Sequence, residues 1–245
     1  MFFKDPYLGW KTDQLCFPKK LVLEKKILYI LNYAVLAPSS HNAQPWKVSI
    51  SSNKVVFSPD YSRSVSVADK DNRFLYIGLG CFYKNFEIAA SYFGFRIARK
   101  NIIKNNTLTI EATLEETGDK DNKELFQAIA NRLTNRNVYT EKKITKKDFE
   151  QIKDVAKKHD VNIEVVTEND KKQRLIDLTE KGDYLVWTDP KFQDEHLKWI
   201  RHSLTTKGDG MPAFTVGIPL PLSFFAWPAI KKLPFAKMQA KKNRV

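Results

Sequence analysis

The sequence predicts an α+β fold with a long, buried central helix, and three patterns support this prediction. A helical pattern with a broad apolar face runs from Leu21 to Ala37. Two alternating segments, Trp46–Ser51 and Lys54–Ser58, flank the short turn Ser52-Asn53 and predict a β-hairpin. The segment Arg73–Phe93 is apolar nearly all round, which is typical of a helix that lies in the core.

Local residues set the ends of these elements. Pro38 disfavours helical geometry at the residue before it, so the first helix should stop there. Asp71-Asn72 is suited to cap the start of the long helix, and Gly94 is suited to end it. The next predicted elements are two strands, Phe95–Ala98 and Thr107–Thr113.

The second half of the chain is predicted to be mainly helical. The charged segment Glu115–Asn122 connects it to the first half. Thr145-Lys146-Lys147-Asp148 resembles a capping box, which marks a helix start. The predicted elements are, in order, a helix over Glu124–Arg132, a helix from Thr145 to His159, a strand over Val161–Thr167, helices over Asp170–Leu185 and Phe192–Leu204, and a turn over Gly208–Pro212.

The composition is that of a chain able to bury a sizeable core. The chain has 245 residues, of which 42% are hydrophobic and 28% are charged, and its net charge is +13. The lysines form scattered pairs and accompany no RNA-binding or helix-turn-helix signature, so no nucleic-acid partner is expected. Most of them are assigned to solvated faces, where their charge also attracts anionic cofactors.

Cysteine usage and hydropathy favour a cytoplasmic location. Only Cys16 and Cys81 are present, without paired spacing, which fits a reducing compartment and excludes a disulfide framework. Residues 1–20 contain no apolar run of signal-peptide length. The longest apolar stretch, Phe74–Phe95, carries two charged residues near its middle, so no membrane association is expected.

The segment Ala37–Trp46 contains two prolines, two hydroxyls, two amides and an indole between a helical and a strand pattern. Such a loop is suited to bind a polar ligand through side-chain donors and acceptors. An ordinary polar connection remains an alternative, because serine, asparagine and proline are common in any loop.

A second polar cluster, Arg132–Arg136, follows the predicted helix of the second half. Two guanidiniums four residues apart flank a hydroxyl and an amide, a set suited to a phosphate and the edge of a planar ring. The alternative is a solvated helix end, because arginine near a helix C-terminus complements the helix dipole.

Both clusters resemble motifs of the FMN-dependent nitroreductase family. Residues 38–46 read Pro-Ser-Ser-x-Asn-x-Gln-Pro-Trp, which is similar to the family signature at the ribityl and phosphate end of the flavin. Arg-x-Thr-x-Arg at 132–136, followed by Tyr139, resembles the family's Arg-Arg-Ser-x-Arg-x-Phe element. Asn131 stands where the first arginine of that element is expected, and Asn137 adds one residue to the spacing.

The resemblance implies a nitroreductase-like fold, which is a mainly antiparallel sheet flanked by helices. It also implies FMN as cofactor and NAD(P)H as co-substrate, with a nitroaromatic or quinone-like electron acceptor as the small-molecule partner. No side-chain acid or base is demanded, so no catalytic residue is assigned. The implied cofactor-binding residues are Ser39, Ser40, Asn42, Gln44, Arg132, Thr134 and Arg136.

The order of the two motifs resembles that of the Acg-like branch, in which two nitroreductase-like halves are joined in one chain. The implied halves are residues 1–115 and a degenerate second half, 116–245, with one flavin per chain as monomer or homodimer. In that branch the region corresponding to Trp199, Arg201 and Asp209-Gly210 forms a lid over the flavin, although core packing is an alternative role for Trp199. Such relatives continue with another strand and helix, so the chain is expected to be truncated at its C-terminus.

Other chemistries find less support in the sequence. A catalytically silent protein that binds or sequesters FMN is the main alternative, and a non-functional remnant is a third. Gly78-Leu79-Gly80 lacks the third glycine of a dinucleotide site. Ser40-His41 lacks a nucleophile elbow, and Glu195, His196 and His202 do not share a helix face for a metal.

Overall fold

The computed structural model describes residues 17–135, 139–140, 142–159, 161–216, 218 and 220–224. Arg136 and Cys16 therefore lie outside the described residues. The chain divides into two compact units. The first unit runs to Thr134 and resumes at Asp194, and the second runs from Asn135 to Gln193. The division into nitroreductase-like halves at residue 115 stays a prediction.

The first unit contains a four-stranded antiparallel sheet with helices, so the α+β prediction is confirmed. The spatial order of the strands is β1-β2-β4-β3. The predicted hairpin is present, with Val48 opposite Phe57 across β1 and β2. The strands are β1 (Trp46–Ser51), β2 (Lys54–Pro59), β3 (Phe95–Lys104) and β4 (Thr107–Glu116).

The hairpin formed by β3 and β4 is longer than the two strands predicted for it. Asn105 and Asn106 form its two-residue turn, with φ of 49° and 58°. Positive φ at both central residues gives a turn whose twist matches that of the flanking strands, and asparagine tolerates this conformation. Residues 99–104, which lie outside the two predicted strands, therefore continue the pairing up to Lys104 opposite Thr107.

Helix α2 (Arg73–Tyr92) forms the centre of the first unit and packs against the sheet. The Phe82 ring stacks on Trp46 with a centroid distance of 4.5 Å, and Phe86 contacts Phe57 edge-on at 4.9 Å. Burial is one-sided at the start of the helix, because Phe74 and Ile77 are 54% and 52% exposed. The buried residues of α2 are Leu75, Gly78, Leu79, Phe82, Tyr83, Phe86, Ala89 and Ala90.

The sequence predicted the residue that ends α2 correctly but not the residue that caps its start. Gly94 ends the helix with φ of 88°, a conformation that glycine adopts without steric cost. At the start, Asn72 makes no side-chain cap. The buried carboxylate of Asp69 accepts instead from the backbone N–H groups of Phe74 and Leu75, at 3.1 and 2.9 Å. Asp69 thus satisfies donors that a helix leaves open at its first turn.

Helix α1 (Leu23–Ala34) packs against α2, and it ends three residues before the predicted stop. Its buried face includes Lys26, which the apolar pattern did not include. The ammonium group of Lys26 lies 2.7 Å from a carboxylate oxygen of Glu116 at the end of β4. A buried cation needs such a partner, because removing an ammonium group from water costs roughly several kcal/mol.

The remaining elements of the first unit follow the sheet or come from the end of the chain. Helix α3 (Lys123–Asn131) packs against α2 and buries Phe126, whose ring stacks on Tyr92. Helix α6 ends in this unit at Trp199, five residues earlier than the predicted helix. The short elements are α6 (Pro190–Trp199), the parallel pair β5 (Ile200–Arg201) and β6 (Met211–Pro212), and α7 (Leu220–Ser223).

The second unit contains α4 (Lys146–Lys158) and α5 (Asn169–Thr188). The predicted capping box is present, because Thr145 accepts from the Asp148 N–H and the Asp148 carboxylate accepts from the Thr145 N–H. The predicted strand over Val161–Thr167 is wrong, since these residues form no strand. Their alternating apolar pattern finds no neighbouring strand to pair with among the described residues, and Val161 is 53% exposed. None of the helices described here has the length and apolar character needed to cross a membrane.

Candidate functional site

The loop between α1 and β1, residues 38–46, has a tightly constrained backbone. Ser40–Asn42 forms one turn of 3-10 helix, and His41, Asn42 and Gln44 have φ between 52° and 53°. The hydroxyl of Ser39 accepts from the Gln44 backbone N–H at 3.0 Å. These left-handed residues need compensating contacts, because such conformations are unfavourable for residues other than glycine.

The amides of the loop bind a turn at Gly208–Gly210, more than 160 residues later in the chain. Asn42 Nδ2 donates to the Gly210 carbonyl at 2.9 Å, and Gln44 Nε2 donates to the Gly208 carbonyl at 2.7 Å. The Gly210 N–H in turn donates to the Asn42 carbonyl at 3.0 Å. The loop therefore contacts this turn through both side chains and backbone.

Asp209, at the centre of the turn, lies between two guanidinium groups. Arg63 Nη2 lies 2.5 Å from one carboxylate oxygen of Asp209, and Arg201 Nη2 lies 3.1 Å from the other. Arg63 Nε also donates to the carbonyl of Ala43 in the loop at 2.6 Å. Burial acts to raise the pKa of Asp209, but the bonds from both arginines outweigh it and hold that pKa below its usual value.

Trp199 forms the apolar side of this arrangement and is 4% exposed. The guanidinium carbons of Arg63 and Arg201 lie 5.3 and 5.6 Å from its ring centroid, within cation–π range. Gly210 has φ of 76°, and a Cβ there would lie 2.5 Å from the Trp199 carbonyl oxygen. Only glycine fits, because both the conformation and the space exclude a side chain. We call the loop, Arg63, Trp199, Arg201 and the turn the polar layer.

Two neighbouring residues of helix α6, His196 and Glu195, contact the loop and the segment 65–69. His41 Nε2 lies 2.8 Å from His196 Nδ1, so one ring donates to the other. Burial, together with the nearby His41, lowers the pKa of His196 to about 4. Burial also lowers the pKa of His41, although the Glu195 carboxylate partly offsets this. Glu195 itself accepts from two successive backbone N–H groups of the 65–69 segment, those of Val67 and Ala68.

Arg132, the first residue of the predicted arginine cluster, lies at the base of the loop. Its Nη2 donates to the Leu36 carbonyl at 3.1 Å, and its Nη1 lies 3.5 Å from the Thr134 hydroxyl. Its Nε is buried and has no hydrogen-bond partner among the residues that the structure describes. Burial raises the pKa of the Cys81 thiol on α2, and the Arg132 guanidinium partly opposes that rise. The guanidinium thus contacts the segment that follows α1 and lies near enough to Cys81 on α2 to affect its pKa.

The structure places six of the seven predicted site residues, and all six belong to the first unit. Ser39, Asn42 and Gln44 are engaged within the polar layer, while Arg132 and Thr134 lie beside each other at the base of the loop. Ser40 begins the 3-10 turn. Arg136, the second predicted cation, lies outside the described residues.

Sequence reasoning missed the part that Arg63 takes in the polar layer, and the pairing of His41 with His196. Arg63 follows the β2 strand in a polar segment whose pattern gives no sign of its partner, since Asp209 is 146 residues away. The same holds for His196, which is 155 residues from His41. Among the described residues, no group of three metal-ligating side chains comes together.

Two comparisons with known proteins add no family to this description. No protein-family model matches the chain, and no curated protein sequence matches it. The function is therefore argued from the residues and their geometry.

The residues present can be tested against the FMN that the resemblance implies. A flavin phosphate needs cationic and N–H donors, and the orphaned Nε of Arg132 is a buried donor of that kind. The ribityl chain needs hydroxyl and amide partners, which Ser39, Asn42 and Gln44 supply chemically. The donor set fits the group, although the two amides are engaged by the turn in this structure.

Proposed function

We propose that the chain is an FMN-dependent oxidoreductase of the nitroreductase type, with a nitroreductase-like fold. NAD(P)H would be the electron donor and a nitroaromatic or quinone-like compound the acceptor. The observation that carries the proposal is the position of Arg132. Its Nη2 donates to the Leu36 carbonyl, two residues before the Pro-Ser-Ser-x-Asn-x-Gln-Pro-Trp motif, and its buried Nε has no hydrogen-bond partner within the described part of the chain. The flavin, when bound, supplies the redox chemistry between donor and acceptor.

The protein's own residues would bind and orient the cofactor. Arg132 and Arg136 would neutralise the phosphate and negative charge on the reduced ring, because guanidiniums bind such groups through charge-assisted hydrogen bonds. Ser39, Ser40, Asn42 and Thr134 would hydrogen-bond the ribityl and phosphate end. Gln44, whose amide donates to the Gly208 carbonyl in this structure, would contribute its amide to the same end of the cofactor.

The test is a titration of the purified full-length chain with FMN, followed by flavin fluorescence and absorbance. Arg132→Gln should weaken binding by roughly ten- to a hundredfold, because a charge-assisted hydrogen bond contributes about 1.5–3 kcal/mol. Arg132→Lys should restore part of the affinity. Arg96→Gln is the matched control, since Arg96 is an exposed arginine paired with Glu115 on the sheet.

Wild-type protein that binds no FMN would overturn the proposal, as would an Arg132→Gln variant that binds as tightly as wild type. Addition of NADH or NADPH without oxygen should then bleach the bound flavin, and an acceptor should restore its colour.

A second candidate is a protein that binds FMN without turnover. The observation that favours it is the Gly208–Gly210 turn, which already covers the amides of the loop and would limit the access of an acceptor. Bound flavin whose absorbance stays unchanged with either nicotinamide would favour this candidate over the oxidoreductase.

A further inference from the structure

The Gly208–Gly210 turn contacts the loop in the way that a bound ligand would. It presents two backbone carbonyls to the amides of Asn42 and Gln44, at 2.9 and 2.7 Å. It also presents one carboxylate, that of Asp209, to Arg63 and Arg201. A polyhydroxyl chain ending in a phosphate presents similar chemistry, because its hydroxyl oxygens can accept hydrogen bonds and its phosphate carries negative charge.

The proposed function assigns the same amide of Asn42 to the ribityl and phosphate end of FMN. The amide of Asn42 has two N–H donors, and its Nδ2 lies within hydrogen-bond distance of two carbonyls of the turn, that of Gly210 at 2.9 Å and, more weakly, that of Gly208 at 3.5 Å. The backbone carbonyl of Asn42 is also occupied, by the Gly210 N–H. A ligand that binds this part of the loop must therefore replace the contacts made by the turn.

We infer that the turn is an internal competitor of the cofactor: Gly208–Gly210 and the ribityl-phosphate end of FMN are alternative occupants of the Asn42 and Gln44 amides. FMN then binds only when the turn leaves the loop. This inference rests on the proposed function and adds a regulation to the same site. The apparent affinity for FMN is reduced by the fraction of molecules in which the turn is bound.

Asp209 is the residue that holds the turn in place through its side chain. Without the Asp209 charge, Arg63 still donates to the Ala43 carbonyl and Arg201 still donates to the Lys198 carbonyl, at 2.6 and 2.7 Å. Loss of the charge therefore weakens the turn while both arginines keep a backbone partner. The carboxylate stays ionised at neutral pH, because the two guanidiniums lower its pKa.

The first measurement uses the wild-type chain alone and follows hydrogen exchange over residues 208–212 with and without FMN. A ligand normally slows exchange at the site it contacts. Here FMN should accelerate it, because the Gly210 N–H loses its bond to the Asn42 carbonyl when the turn leaves.

The second measurement compares FMN affinity in wild type, Asp209→Asn and the matched control Glu115→Gln. Glu115 is also a carboxylate paired with an arginine, but the pair is exposed on the sheet. Asp209→Asn should bind FMN about tenfold more tightly, because the turn competes less. Glu115→Gln should bind as wild type does. Arg201→Gln removes the same ion pair from the other side and repeats the test if Asp209→Asn does not fold.

The outcomes separate the inference from the proposed function. Faster exchange at the turn with FMN, together with tighter binding by Asp209→Asn, supports the inference. FMN binding with slower exchange at the turn, or with unchanged or weaker affinity in Asp209→Asn, overturns the inference and leaves the function standing. If neither wild type nor Asp209→Asn binds FMN, the proposed function fails and the inference fails with it.

Discussion

The core around α2 and the polar layer next to it are stabilised in opposite ways. In the core, aromatic and aliphatic side chains exclude water, and Phe57, Phe82 and Phe86 are at most 1% exposed. In the polar layer, loops are joined by side-chain amides, ion pairs and a pair of imidazoles. The free energy of the core depends on volume and apolar area, whereas that of the polar layer depends on charge and protonation. The difference indicates that the scaffold can stay folded while the layer responds to solution conditions.

The largest expected effect comes from the core. Phe86→Ala should lower the free energy of unfolding by about 3–5 kcal/mol, because it removes a fully buried ring and leaves a cavity beside Phe57. Urea unfolding of the variant and the wild type measures this difference in the free energy of unfolding. The decrease in the free energy of unfolding should be about the same at pH 5 and pH 7, since no titrating group is removed. A loss that changed with pH would contradict the distinction between core and polar layer.

Gly210→Ala should have the next largest effect. A Cβ at this position would lie 2.5 Å from the Trp199 carbonyl oxygen, and the backbone of Gly210 has a φ of 76° that alanine rarely adopts. The turn must therefore shift, at a cost of roughly 2 kcal/mol or more. Gly208→Ala is the matched control in the same turn, because a Cβ there meets no atom of the described residues within 4 Å. Thermal unfolding of the two variants distinguishes them. Equal losses would show that the turn is not held against Trp199 as described.

The third prediction concerns acid. The pKa of His196 falls from 6.5 to about 4 on folding. Between these two pH values the unfolded chain therefore binds a proton at this residue that the folded chain does not bind. Stability should therefore decrease as pH falls from 6.5 to 4, by an amount on the order of 3 kcal/mol. The Asp209 pKa is also lowered, so its contribution is lost at still lower pH, as its carboxylate protonates.

Urea titrations at a series of pH values measure this acid dependence. His196→Gln should flatten the decrease between pH 6.5 and 4, while Asp209→Asn should flatten only the part below it. A His196→Gln variant with the same acid dependence as wild type would show that the imidazole pair does not control the stability of the layer.

Several elements of the fold could be predicted because residues that are close in the sequence determine their structure. The hairpin of β1 and β2 follows from alternation around a short turn, and Gly94 follows from the conformation needed to end a helix. The capping box at Thr145 has a signature four residues long. Each of these features depends on neighbours in the sequence, so the pattern alone contains the information.

The sequence-based predictions fail where the structure of a segment depends on residues that are distant in the sequence. The strand pattern at Val161–Thr167 needed a partner strand, which the described residues do not provide. The cap of α2 comes from Asp69 rather than Asn72, because the chain folds back before the helix starts. In the candidate site, the resemblance implied that the region of Asp209-Gly210 covers the loop, but the contacts themselves join residues more than 160 positions apart. No local pattern indicates which distant carbonyl the amides of the loop would find.

The carboxylate at the start of α2 also decides where a negatively charged group can bind. A helix N-terminus attracts anions because its open N–H groups and its dipole carry partial positive charge. Asp69 uses two of those N–H groups and brings its own negative charge to the same place. An anion is therefore disfavoured at this end of the long helix, and the proposed binding of a flavin phosphate would depend on side-chain cations such as Arg132.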